Sequence, residues 1–189
     1  MTKRRKWTAV GVALIAFMAG GAGQAQQLKN ENLLVGMPQG FKLGFKDSKN
    51  GMNMQEFVPA SETVENWTEM VTVQVFLGRK DLEPLQFLSL MQKQWAEACK
   101  GSTATPVATG KVNGYDATSI LLRCPFLAST GKPETTMLKA IKGNDSFYVV
   151  QRAVRSVPTP ERLETMKKYI ESVSVCDSRL PSRPCPTVK

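Results

Sequence analysis

Val107-Ala108-Thr109-Gly110-Lys111-Val112-Asn113-Gly114-Tyr115-Asp116-Ala117-Thr118-Ser119-Ile120-Leu121-Leu122-Arg123 is the stretch on which the fold turns. Two strand-like runs flank Asn113-Gly114, the dipeptide best suited to the two left-handed residues of a tight hairpin. Residues 107–112 and 115–123 are therefore expected as antiparallel neighbours. The same pattern recurs upstream. Phe41, Leu43 and Phe45 alternate with Lys42 and Gly44, which predicts a half-buried strand. Asp47-Ser48-Lys49-Asn50-Gly51 is a turn cluster ending in a second Asn-Gly, and residues 54–58 should pair back before Pro59 ends the strand. Downstream, residues 136–142, the turn Gly143-Asn144-Asp145-Ser146 and residues 147–155 predict a third hairpin. Residues 70–77 place Val71, Val73 and Val75 on one side and Thr72, Gln74 and Phe76 on the other. That is a strand with both faces at least partly covered, closed by Gly78.

Two segments switch to a helical period. Leu85, Leu88, Met91, Trp95 and Cys99 recur at three- and four-residue steps, with Asp81 as the expected cap, Pro84 in the first turn and Gly101 as the stop. Thr159-Pro160-Glu161 is a helix start, and Leu163, Met166, Ile170 and Val173 form one apolar stripe. Residues 26–36 read as a short lead-in. Hairpins dominate and each helix has one stripe to bury. The fold class is α+β: a mostly antiparallel sheet with helices packed on it.

That order of elements resembles the PsbP-like fold, a group that includes small exported bacterial proteins of the DcrB-like kind. The resemblance rests on Gly40-Phe41, on the hairpin turn Val112-Asn113-Gly114-Tyr115, and on a last helix ending in Ser172-Val173-Ser174. It spans residues 33–175. It implies a mostly non-catalytic accessory or binding role and supplies no functional residue. The Cys-bearing tail after Val175 is an addition to the pattern.

The chain opens with Lys3, Arg4, Arg5 and Lys6, then an uncharged, mostly apolar run over 7–18, then small residues ending in Gly23-Gln24-Ala25. This is the build of a secretory signal peptide, expected over residues 1–25, with cleavage after Ala25 or, alternatively, after Ala22. The run is shorter than the ~20 residues of a spanning helix, so no transmembrane anchor is expected after cleavage. The expected location is the periplasm or the medium. Residues 26–175 then form one α+β domain and residues 176–189 a disulfide-closed tail. Four of the 25 Lys and Arg leave with the leader and none of the 16 acids does, so the net charge drops from +9 to +5. A modest positive balance suits loose association with an anionic envelope component. Nothing in the sequence matches a nucleic-acid-binding motif.

Four cysteines, Cys99, Cys124, Cys176 and Cys185, predict two disulfides in an exported chain. Three pairings are possible, and proximity in sequence favours Cys99–Cys124 and Cys176–Cys185. Redox or metal chemistry is poorly supported, because the chain has no C-x-x-C and no histidine.

The lack of histidine also removes Ser-His-Asp and Cys-His catalysis and the common zinc sites. No catalytic residue, metal site or cofactor is expected. Glu62, Glu65 and Glu69 are the densest acidic set, but neighbours on one segment read as a solvated face rather than as a pair facing across a cleft. Residues 47–56 fail as a calcium loop, since Lys49 stands at a ligand position and Glu56 comes too soon. Asn66-Trp67-Thr68 and Asn144-Asp145-Ser146 are formal glycosylation sequons that matter only in a glycosylating host. Trp67 has two readings: an exposed binding rim, or, as its size favours, a plug at the open end of the sheet. Candidate contact residues are Glu62, Glu65 and Trp67 in one loop, and Arg179 and Arg183 as an anionic-contact pair in the tail.

The expectation is an exported, non-catalytic binding or accessory protein with an envelope protein or anionic envelope component as partner. Two readings compete with it. One is an inhibitor or immunity-type protein against a secreted hydrolase, which two staples and small size suit. The other is a carboxylate-based hydrolase, which would need two acids facing each other.

Overall fold

The computed structural model describes residues 26–188, so the expected signal peptide lies outside the described residues. In chain order the elements are β1 (Gln26–Gln27), β2 (Glu31–Leu34), β3 (Phe41–Lys49), β4 (Met52–Pro59), β5 (Glu69–Leu77), α1 (Pro84–Ala98), β6 (Thr103–Ala104), β7 (Ala108–Val112), β8 (Tyr115–Leu127), β9 (Lys132–Lys142), β10 (Ser146–Val154), α2 (Pro160–Ser172), β11 (Ser174–Asp177) and β12 (Thr187–Val188). The main sheet runs β3-β4-β5-β10-β9-β8, with β6 and β7 following one another along the outer edge of β8. Every neighbouring pair is antiparallel.

The expected hairpins form where their turn chemistry places them. Asn50-Gly51 and Asn113-Gly114 all have positive φ (+52°, +75°, +46° and +79°), the conformation that matches a two-residue turn to the twist of its strands. Pairing Val112 with Tyr115 closes the β7–β8 hairpin around that turn.

Each face of the sheet carries its own core. Val71, Val73, Tyr148 and Val150 point to the side where α2 delivers Ile170, and Val173 and Val175 follow. On the opposite side Ile120, Leu122, Leu138, Phe147 and Val149 pack against Leu88 of α1. The alternation expected of 70–77 thus holds: its valines join the first core, and Phe76 packs against the second. Met166 and Ile170 are buried on α2, as their stripe predicts. On α1 the buried positions are Pro84 and Leu88, while Leu85 is exposed.

One expectation needs correction, and two segments carry strands within them. Asp81 is not the cap of α1. The N-cap is Glu83, without a side-chain cap hydrogen bond, and Asp81 instead takes a two-pronged contact from Arg79 at 2.7 and 2.8 Å. The lead-in contains two strands, β1 paired with β12 and β2 with β11. Finally, the tail starts inside a strand, since Cys176 and Asp177 belong to β11. The physical reason is shared. Val175 is fully buried and Leu33 packs on the same core, so both segments are held by tertiary contacts that their own polar composition does not reveal.

Both disulfides are present, Cys99–Cys124 and Cys176–Cys185. The first ties the end of α1 to β8, and the second closes the tail over residues 177–184.

Candidate functional site

Residues 60–68 fold back over the end of β4 and β5. Their polar composition is spent on internal bonds: Thr63 and Asn66 exchange backbone hydrogen bonds. The Glu62 carboxylate accepts from the Thr68 backbone N–H at 2.6 Å and from its hydroxyl at 2.7 Å. Glu62 is therefore a loop brace. Glu65 is exposed, and a hydrogen bond from Thr63 holds its carboxyl below the usual carboxylate range.

Trp67 is 6% exposed and packs with Val58, Met70 and Ala153. The binding-rim reading of Trp67 is corrected by this burial. The indole fills the α1 side of the sheet beyond the reach of α1. Arg155 lies over its ring at 3.9 Å and donates to the Glu65 carbonyl oxygen at 3.3 Å. Glu134 stands 4.0 Å from Arg155, and burial pushes its carboxyl up. Glu69 does not join Glu62 and Glu65 on a helical face. It is a buried residue of β5 whose carboxylate accepts from Arg152 Nε at 2.7 Å and pairs with Arg162 of α2.

The two tail arginines sit at the other end of the sheet and are already engaged. Arg179 reaches Asp177 at 2.6 Å and Asp145 at 2.7 Å. Arg183 lies over the Tyr115 ring at 3.9 Å and donates to the Gly114 carbonyl oxygen at 3.0 Å. The reason is the disulfide-closed turn, which folds the tail back so that Asp177 N–H donates to the Arg183 carbonyl oxygen at 2.8 Å. The structure brings Glu62, Glu65 and Trp67 together and keeps Arg179 and Arg183 apart from them.

The surface left open is another one. α1 packs on β8 and β9, and α2 on β9 and β10. The β3–β4 half of the sheet carries neither helix. β3 pairs only with β4, so its outer edge is free among the described residues. The expected alternation of Phe41, Leu43 and Phe45 on one buried face fails here. The register shifts between Leu43 and Phe45, placing Leu43 opposite Phe57 and Phe45 opposite Glu56. A β-bulge adds a residue to one strand and turns the residues beyond it to the other face. Leu43 (45% exposed) and Phe45 (39% exposed) therefore point to opposite sides, both toward solvent. Gly44 sits at the bulge because a Cβ there would lie 2.8 Å from Val64 Cγ1.

Two depressions flank this strand. One, of about 550 Å³, has Val73 and Val75 as its floor and Lys46, Ser48, Asn53 and Gln55 as its walls. The other, of about 410 Å³, lies between β3 and the 60–68 loop and is lined by Lys42, Leu43, Val64, Glu62 and Glu65. The expected contact residues Glu62 and Glu65 line the second, and none of the expected contact residues lines the first. The available signal was the polar series Asn53, Gln55 beside the apolar Met52, Met54, which leaves one strand face without a core to meet. Among the described residues no three His, Cys, Asp or Glu gather to hold a metal ion. The arrangement can bind an extended or flat partner through backbone groups, small apolar floors and scattered charges.

No family model and no curated protein matches the chain. Solved structures do. Cyanobacterial PsbP (CyanoP) from Synechocystis sp. PCC 6803 is similar at a TM-score of 0.51 and 12% identity, covering 84% of this chain and 96% of its own. The Ran-binding protein Mog1p of Saccharomyces cerevisiae aligns at 0.44 and 12%, over 76% and 85%. LpqN of Mycobacterium tuberculosis, described as involved in cell envelope biogenesis, aligns at 0.41 and 10%, over 82% and 87%. The first of these likenesses, together with the strand order and the two helices, establishes that this chain has a PsbP-like α+β fold.

Proposed function

We propose that this protein is an exported, non-catalytic binding or accessory protein that takes an envelope partner on its β3–β4 side. The observation that carries the reading is the exposed edge strand β3, nine residues with no strand beyond it among the described residues and a depression on each side of it. Two disulfides support an oxidising compartment. Export also accounts for the basic, apolar, small-residue order of residues 1–25. A chain without histidine, whose buried acids Glu69 and Glu134 face arginines rather than each other, supports a binding role over a hydrolase.

The test places a photo-crosslinking residue at Lys46 and, as control, at the exposed Lys93 of α1, in the native host. A discrete adduct from position 46 and none from 93 is the expected result. Equal labelling at both positions removes the β3–β4 side as the binding face. A purified activity that turns over and is abolished by one carboxylate substitution overturns the non-catalytic reading.

A further inference from the structure

The β8–β9 hairpin carries a feature that the β3–β4 side does not explain. Its tip, residues 125–131, begins Pro125-Phe126-Leu127, and Phe126 is 60% exposed. An aromatic ring at a hairpin tip has no core to join, and it is the most exposed aromatic side chain among the described residues. It is also held in place. The Cys99–Cys124 disulfide locks the end of α1 against the base of the tip, with 5.8 Å between the two Cα atoms. Pro125 approaches Gly101, and the Cys99 sulfur lies 3.9 Å from the Lys100 carbonyl oxygen and 3.6 Å from that of Phe126, so the backbones of exposed Lys100 and Phe126 meet at the disulfide; the exposed Lys132 pairs with Leu127 across the hairpin. Arg123 follows one strand position below the disulfide. Nearby carboxylates are few: Glu97 is exposed on the last turn of α1, and Glu134 is turned inward to Arg155. Glu62 and Glu65 belong to the loop over β4 and β5, with β10 and β9 between them and the tip. Val157, 78% exposed, stands at the same end of the sheet, next to Ser156, whose carbonyl oxygen accepts from Thr135 of β9.

An apolar tip ringed by cations is the arrangement that enters the headgroup boundary of an anionic bilayer. The ring gains from leaving water, and the ammonium groups stay at the level of the lipid phosphates. We infer that the 125–131 hairpin tip is a peripheral membrane contact for anionic lipid, with Phe126 as the inserted side chain and Lys100 and Lys132 as its electrostatic flank. The contact is reversible, because one ring and two or three cations fall short of a stable anchor. It leaves the β3–β4 side free, so it is independent of the partner site proposed above.

Sedimentation of residues 26–189 with phosphatidylglycerol/phosphatidylcholine vesicles, against pure phosphatidylcholine, tests it. Binding is expected only to the anionic vesicles and is expected to weaken with salt. K100Q/K132Q should bind roughly twenty-five-fold more weakly, at about fivefold per lysine. F126S should lose roughly tenfold, and K111Q, at the opposite end of the sheet beside Asp116, should match the unsubstituted protein. F126W should show a blue-shifted emission on anionic vesicles. Unchanged thermal melting of each variant separates lost contact from lost fold. Absence of sedimentation at low salt overturns the inference, as does equal binding by F126S. Binding to heparin as strong as to vesicles, and indifferent to F126S, would assign the patch to soluble polyanions and overturn it too.

Discussion

Lys139 stands in the middle of β9, buried on the side that faces α2, and its ammonium donates to the carbonyl oxygens of Ile170, Glu171 and Val173 at 3.2, 3.2 and 2.7 Å. The last turn of α2 carries no basic residue of its own, so the sheet supplies the cation that a helix C-terminus favours. Burial pushes the Lys139 pKa down from the ordinary lysine value, which is the cost of placing it there. K139M should lose about 1–3 kcal/mol in urea denaturation, because the carbonyls it satisfied stay buried. Amide exchange should speed up in the last turn of α2 before it does elsewhere. Asp177 gives the pH dependence. Hydrogen bonds from Arg179 hold its carboxyl below the usual range. A depressed folded-state pKa means that its stabilisation is present above the unfolded aspartate value of about 3.9 and is lost as pH falls below it. The stability of D177N should therefore fall less steeply than that of the unsubstituted protein between about pH 4 and pH 2, as followed by denaturant midpoints.

Among the elements, β3 and the 60–68 loop are coupled through one glycine. The bulge at Gly44 lets Val64 close on the strand, and Val64 packs against the cluster of Val58, Trp67, Met70 and Ala153. G44V should force that contact apart and cost about 1–3 kcal/mol. Because the loop covers Trp67, its emission should shift to the red, and a W95F background isolates that signal from the other tryptophan of the described residues. An unshifted emission would show that the loop stands without the contact. The two helices differ in how local chemistry starts them. α2 has its Thr159 hydroxyl accepting from the Arg162 backbone N–H at 3.3 Å, Pro at its start and Glu161 in the first turn. α1 has Pro84 and no side-chain cap, and it is held by Leu88 in the core and by the disulfide at its C-terminal end.

At the scale of the whole molecule, the first and last strands of the described residues are one structural unit. β1 pairs with β12, β2 pairs with β11, and Asn30 and Ser178 exchange hydrogen bonds across them. Glu31 extends this unit to the β9–β10 turn, accepting from Asn144, Asp145 and Ser146 N–H groups at 2.5, 3.0 and 3.2 Å and from the Tyr148 hydroxyl at 2.9 Å. Replacing Cys176 and Cys185 with serine should cost about 2–3 kcal/mol by loop-closure entropy. It should open both the 26–34 and 178–188 segments to limited proteolysis while the eight-stranded sheet stays protected; cleavage confined to the tail would show that β2 holds without it. The hairpins, both helices and the sheet class were legible in the sequence, because Asn-Gly turns, a period of two and a period of 3.6 are local properties of consecutive residues. The disulfide pairing followed from spacing for the same reason. The burial of Trp67, the engagement of Arg179 and Arg183, the bulge at Gly44 and the exposed β3 edge were settled only by tertiary structure. Each depends on which distant segment reaches a given face of the sheet. A tryptophan in a polar loop reads the same whether or not a sheet end lies beneath it, and an arginine reads the same whether or not the chain folds back to meet it.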